Sequence, residues 1–293
     1  MENNSRQGII YGLAAYTIWG ILPVYWKLLE QVSAFEILAS RFIWSVVFVF
    51  CLLLASGKLK TFASEAKYIF STFKTGAVMV CAAVVISFNW GTFIWAVEAG
   101  RIVETSMGYY INPLCSILFG MIFLKERLDR LQKIAVCCAA AGILIMIVRN
   151  GALPWVSVML AVTFSVYGLL KKIIKVSAMT SIMLETLLIT PAALAFVYFL
   201  MQSGSSAYQN GSLFTVLVLM GSGAATAVPL ILFTNAAKLL PLKIIGFLQY
   251  LSPTITLLLG VFVYGEAFTA VHMLSFGCIW VGLLFFTWSQ IKS

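Results

Sequence analysis

The reading of this chain turns on two stretches 140 positions apart. Tyr109–Glu126 reads YYINPLCSILFGMIFLKE, and Gln249–Glu266 reads QYLSPTITLLLGVFVYGE. Under that shift Tyr110 falls on Tyr250, Pro113 on Pro253, Gly120 on Gly260 and Glu126 on Glu266. Further along, Gly142 falls on Gly282. Upstream the correspondence needs gaps, but Gly20 can be laid on Gly168, with Trp19 beside Tyr167. The chain is therefore expected to contain two copies of one unit, spanning residues 1–150 and 151–293.

Each copy is strongly apolar. Of the 293 residues 62% are hydrophobic and only 10% charged, and the mean hydropathy is +1.02. A soluble domain is about 45–50% apolar and about 25% charged, so a water-soluble enzyme with one core is excluded, as is a disordered chain. At about 20 residues per membrane span the length accommodates ten helices. Apolar runs place them near 8–29, 34–55, 76–97, 103–124, 131–148, 153–170, 177–201, 213–237, 244–264 and 268–288. The polar start of the chain runs into the first of these without a small-residue cleavage pattern, so a span is expected there rather than a removed signal peptide.

Charge then sets orientation. With the N-terminus inside, fifteen of the nineteen Lys and Arg residues fall in inside loops, while Lys27, Arg101 and Arg149 fall outside and Arg41 within a span. The positive-inside rule is satisfied by ten spans with both termini cytoplasmic, in an inner or plasma membrane. The net charge of +9 is explained by these loops, so nucleic acid is not an expected partner. The six cysteines lie in apolar runs without a CxxC pair, and His272 has no ligand-spaced companion. No metal, cofactor, catalytic cluster or nucleotide-binding loop is expected. The fold class is thus an all-α integral membrane protein of two five-helix units. Five is odd, so the second unit is inverted, the arrangement that suits alternating access to a site between halves.

Several strings carry a family likeness: GLAAYTIWGILPVYWK from Gly12, EILASRFIWS from Glu36, NWGTFIWAVEAG from Asn89, GYYINPL from Gly108, GFLQYLSPT from Gly246 and YGE from Tyr264. Together they resemble the EamA-type transporters of the drug/metabolite transporter superfamily, and within it the RarD branch. The resemblance runs end to end and implies ten helices in two inverted repeats around a central cavity. It also implies a small-molecule exporter: the branch is associated with chloramphenicol, and sister branches with export of amino acids and other metabolites.

Ionisable groups inside a span cost about 2.5–3.5 kcal/mol on insertion scales, so each needs a partner or a polar cavity. Arg41 lies seven residues into the second span from outside, and Glu185 eight residues into the seventh from inside. At 1.5 Å per residue each is roughly 10–12 Å deep, close enough in height to share a cavity. Glu185 is the candidate for proton or cation coupling, the alternative being a carboxylate satisfied by Ser, Thr or backbone. Arg41 is the candidate for an anionic or carboxylate-bearing substrate, the alternative being an outward reach to Glu36.

Trp19, Trp90, Tyr110, Tyr167 and Tyr250 are mid-span aromatics whose polar tips need partners, and they are taken with Asn89, Asn112 and Gln249 as cavity-lining candidates. Interhelical hydrogen bonding is the competing role for the amides. Trp26 is assigned to an interfacial belt or to packing, and Glu126 and Glu266 to loop anchoring at solvent depth, a gate being the alternative. The expected partners are a small-molecule substrate, the lipid bilayer and protons. A membrane-embedded metabolite sensor that moves nothing is the alternative from another class. Substrate identity, coupling ion, flux direction and oligomeric state are left open by the sequence.

Overall fold

The computed structural model describes residues 2–98, 102–150, 155–264 and 270–292, and among them the chain forms thirteen helices and no strand. They are α1 (Glu2–Lys27), α2 (Ala34–Ala55), α3 (Leu59–Phe70), α4 (Phe73–Glu98), α5 (Ile102–Leu124), α6 (Arg130–Asn150), α7 (Trp155–Ile173), α8 (Ala178–Gln202), α9 (Ala207–Asn210), α10 (Leu213–Leu239), α11 (Leu242–Gln249), α12 (Leu251–Phe262) and α13 (Ala270–Lys292). Eight stretches of described residues are long and apolar enough to cross a bilayer. Two shorter apolar stretches, Gly108–Leu124 in α5 and Met273–Ser289 in α13, accompany them. Large apolar side chains such as Leu54, Val84, Phe88, Ile122, Leu194 and Leu284 are exposed. A soluble protein would bury such a surface, whereas lipid accepts it.

Two features depart from the expected spans. The ninth run is not one helix: it breaks at Tyr250 into α11 and α12. Pro253 lies in the first turn of α12, where its missing N–H removes a bond the continuous helix would need. The lysine-rich segment after α2, read as a loop, contains α3. Leu59, Phe62, Ala66 and Ile69 recur on one face of it and pack against the core, while Lys60 and Lys67 ride elsewhere on the helix.

The described packing runs mainly between the two halves of the chain. In it α1 packs on α10 and α12, α2 on α8 and α10, α4 on α7 and α8, α5 on α7 and α11, and α6 on α13. At the α6–α13 crossing the contacts are reciprocal. A Cβ built at Gly142 would stand 2.5 Å from the Ser275 carbonyl oxygen, and one at Gly282 2.8 Å from that of Ala135. Both glycines therefore allow backbone approach that alanine would forbid. Residues 142 and 282, like 135 and 275, are 140 positions apart.

One end of the bundle gathers the lysine-bearing turns. There α5 closes through Lys125, in the left-handed region at φ 56°, and the Glu126 N–H returns to the Gly120 carbonyl at 3.1 Å. This C-terminal turn aims the Glu126 carboxylate at the start of α11, where it accepts from the N–H groups of Leu242 (2.8 Å) and Lys243 (2.9 Å). Glu266, which falls on Glu126 under the 140-residue shift, lies outside the described residues. Asp129 and Gln132 cap α6 reciprocally, each side chain accepting from the other's N–H. Gln132 Nε2 also donates to Ser289 on α13 at 3.1 Å.

Candidate functional site

Arg41 projects from α2 into a box built by three other helices. Its Cζ lies 4.9 Å from the Trp26 ring centroid (α1) and 4.2 Å from that of Trp90 (α4). Its Nε donates to Thr226 Oγ1 (α10) at 2.9 Å. Cation–π contacts of this kind contribute about 0.5–2 kcal/mol each and offset part of the cost of holding a guanidinium at this depth. The expected outward reach to Glu36 is not made. That carboxylate is spent on the start of α9, accepting from Ser206 Oγ at 2.7 Å and from the Ala207 N–H at 2.9 Å. Trp26, assigned to an interfacial belt or to packing, is a wall of the Arg41 box.

Glu185 has a different environment. It is buried on α8 and saturated: Oε1 accepts from Lys171 Nζ and from Ser181 Oγ (2.9 Å), and Oε2 accepts from Tyr167 Oη at 2.9 Å. Lys171 also donates to Ser181 at 2.8 Å and is fully buried. The charge pattern places Lys171 in an inside loop with Lys172 and Lys175; it lies instead on the buried face of the last turn of α7, where Glu185 and Ser181 satisfy its ammonium. The charge near Glu185 is thus Lys171, from the end of α7, rather than Arg41.

The remaining candidates fall into separate groups. Trp19 sits in an aromatic cluster, 5.4 Å from Tyr16, 5.9 Å from Phe164 and 5.7 Å from Phe233 between ring centroids. Tyr167 stacks on the same Phe233 at 6.1 Å, so Trp19 and Tyr167 meet across one phenyl ring. Tyr110 and Tyr250 share a second buried cluster with Phe276. Asn89 is tied to α7, donating to the Leu160 carbonyl at 2.9 Å and Thr163 Oγ1 at 2.7 Å. Asn112 Oδ1 accepts from Ser165 Oγ, also on α7, at 3.1 Å. Gln249 Oε1, Tyr250 Oη and Tyr16 Oη are buried with no hydrogen-bond partner among the described residues. The structure therefore brings Trp90 to Arg41 and Tyr167 to Glu185, and does not gather all ten candidates at one point. An open groove of about 520 Å³ along α6, lined by Leu144, Ile145, Val148 and Arg149, contains none of them.

Two polar clasps join the halves near the bundle ends. At the basic end Glu65 on α3 accepts from Ser177 N (2.8 Å), Ser177 Oγ (2.7 Å) and Thr180 Oγ1 at the start of α8. Burial opposes its charge, but the hydrogen bonds from Thr180 and Ser177 and the nearby Lys238 outweigh burial and hold the carboxyl below its ordinary value. At the other end Tyr208 Oη donates to Ser40 Oγ at 2.8 Å and accepts from Trp44 Nε1 at 2.9 Å. Burial, the larger influence, pushes its phenol upward.

Known proteins resemble this chain along its length. The model of the EamA-like transporter family matches residues 6–148. A transporter named YojE from Bacillus subtilis (strain 168) is 44% identical over 290 residues, covering 98% of this chain and 96% of that protein. Protein RarD of Salmonella typhi is 42% identical, again covering 98% and 96%. A Pseudomonas aeruginosa relative named chloramphenicol-sensitive protein RarD is 32% identical over the same shares. A solved crystal structure superposes with a TM-score of 0.70 at 16% identity, covering 95% of this chain and 96% of its own, and shows the likeness of fold. With identities of this size over nearly its whole length, the chain belongs to the EamA-like transporter family, in its RarD-like branch.

Proposed function

We propose that this multi-pass membrane transporter is a secondary transporter of small molecules, working by alternating access between inverted units 1–150 and 151–293. The observation that carries this reading is the reciprocal packing. The main inter-half contacts have counterparts under exchange of the units: α1 on α10 answers α4 on α7, α1 on α12 answers α5 on α7, and α6 meets α13 through glycines 140 positions apart. Two near-equivalent halves packed this way can exchange conformations and expose a shared site to each side in turn. The lysine-rich end is assigned to the cytoplasm, with both termini, by the positive-inside rule.

Substrate contact is assigned to Arg41 and Trp90, with Trp19, Tyr110, Tyr167, Tyr250, Asn89, Asn112 and Gln249 as surrounding candidates. Outward flux, of drugs such as chloramphenicol or of amino-acid-like metabolites, rests on the family resemblance. Ion coupling is assigned to Glu185. A proton there would compete with Lys171, Ser181 and Tyr167, so uptake of the proton would loosen α7 from α8.

The test is flux in proteoliposomes loaded with labelled chloramphenicol, aromatic and aliphatic amino acids. Wild type is compared with Glu185→Gln, with and without a pH gradient. Saturable flux that follows the gradient and collapses in the variant is the expected result. Gradient-independent flux surviving Glu185→Gln would make the protein a facilitator and Glu185 a structural residue. Specific binding with no flux would favour a sensor.

A further inference from the structure

We infer that the Arg41 box is a specificity site for organic monoanions, bound through a carboxylate or a similar two-oxygen anionic group. Arg41 is seven residues into α2, about 10 Å from its end, and all of its described contacts come from neighbouring helices. Two indole faces hold the guanidinium and Thr226 takes the Nε proton. The two terminal nitrogens have no acceptor among the described residues. They are the planar pair of donors that fits two oxygens of a carboxylate side by side. Arg41, Trp26 and Trp90 all keep partial exposure, although each is packed against another helix. The box draws on α1, α2 and α4 from the first half and α10 from the second, so an anion bound there touches both units.

The same geometry disfavours two other classes. A zwitterion needs a free carboxylate near the fork for its ammonium. Of the buried carboxylates among the described residues, Glu36 is spent on Ser206 and Ala207, and Glu185 on Lys171, Ser181 and Tyr167. A neutral amide has no charge to set against the guanidinium and presents one oxygen where the fork offers a pair of donors. The rings of Trp26 and Trp90 add flat surfaces beside the fork, so an aryl group next to the carboxylate is the best match.

This inference rests on the transporter reading and sets organic monoanions at the Arg41 box in place of the neutral drugs and amino acids that the family resemblance suggests; its test is a binding measurement in detergent that does not depend on flux. The purified protein would be titrated with hippurate, benzoate and indole-3-acetate, with hippuramide as the neutral counterpart, phenylalanine as the zwitterion and chloramphenicol as the neutral drug. The readouts are tryptophan fluorescence and the thermal transition. At least one carboxylate is expected to bind at least tenfold more tightly than hippuramide and phenylalanine. Arg41→Gln should abolish that binding while keeping a cooperative transition within a few degrees of wild type without ligand, and Arg41→Lys should weaken it. Should Arg41→Gln fail to fold, the acid–amide comparison in wild type and the Arg41→Lys titration still decide.

Equal binding of acid and amide, carboxylate binding that survives Arg41→Gln, or no binding by any of the three acids would overturn the assignment. Carboxylate binding without flux would leave the site intact and sink the transporter reading. Flux of neutral or zwitterionic compounds alone would do the reverse.

Discussion

Lys171 and Arg41 each carry one positive charge into the same bundle, and the protein treats them in opposite ways. Lys171 is fully buried against Glu185 and Ser181, with Tyr167 completing the carboxylate's shell. Arg41 leans on two tryptophans and a threonine and retains partial exposure. In the first case charge, counter-charge and hydrogen bonds are all satisfied from within the chain. In the second, among the described residues, the ring faces and Nε are engaged and the fork of terminal nitrogens is left over. A closed pair fixes α7 to α8, whereas an unfinished one has binding capacity to give. Buried charge by itself therefore does not mark a substrate site in this fold; what matters is whether its donors are already used.

The comparison can be broken at its strong end first. Lys171→Met leaves Glu185 buried without its counter-charge. Losing one partner of a buried pair costs about 3–5 kcal/mol, which at a few degrees per kcal/mol lowers the transition in detergent by about 10 °C. Restoring an uncharged pair with Lys171→Met plus Glu185→Leu should recover most of the loss in the same melt. Glu126→Ala gives a smaller effect. It strips two N–H groups of α11 of their acceptor at the junction of the halves, an expected loss of about 1–2 kcal/mol.

Arg41→Gln should then cost least among the buried groups, about 1 kcal/mol or less, because no carboxylate is orphaned. A melt as damaged as that of Lys171→Met would erase the distinction between the two cations. The smallest effect concerns Glu65, whose folded-state carboxyl lies below its ordinary value. A depressed carboxyl contributes stability above its unfolded value of about 4.3, and that contribution is lost as pH falls through the folded value. Melts taken from neutral pH down to about pH 4 should show wild type losing slightly more stability than Glu65→Gln.

Much of the framework was open to sequence reasoning because it rests on local chemistry. The run 34–55 coincides with α2, and the charge at Arg41 stands out in it because everything around it is apolar. What escaped was information carried by helical phase and by distant partners. Lys171, Lys172 and Lys175 looked like one loop cluster, yet Lys171 follows Tyr167 and Gly168 by four and three positions. It therefore shares the buried face of α7 with them. That signal was in the sequence. The α3 stripe of Leu59, Phe62, Ala66 and Ile69 was there too, masked by the lysines between them. The partnership of Trp26 with Arg41 was not. It arises only when α1 and α4 close around α2, and no local pattern separates such a tryptophan from an interfacial one. The commitment of Glu36 to α9 is likewise a contact across 170 positions.

The account comes down to whether an anion held at Arg41 crosses the membrane by alternation of the two halves. Counterflow in proteoliposomes measures this directly: vesicles are preloaded with unlabelled hippurate, and entry of labelled hippurate is followed. The account predicts saturable entry that is accelerated by the internal hippurate and absent from vesicles bearing Arg41→Gln. Entry no faster than into protein-free vesicles, from a preparation that binds hippurate in detergent, would contradict it.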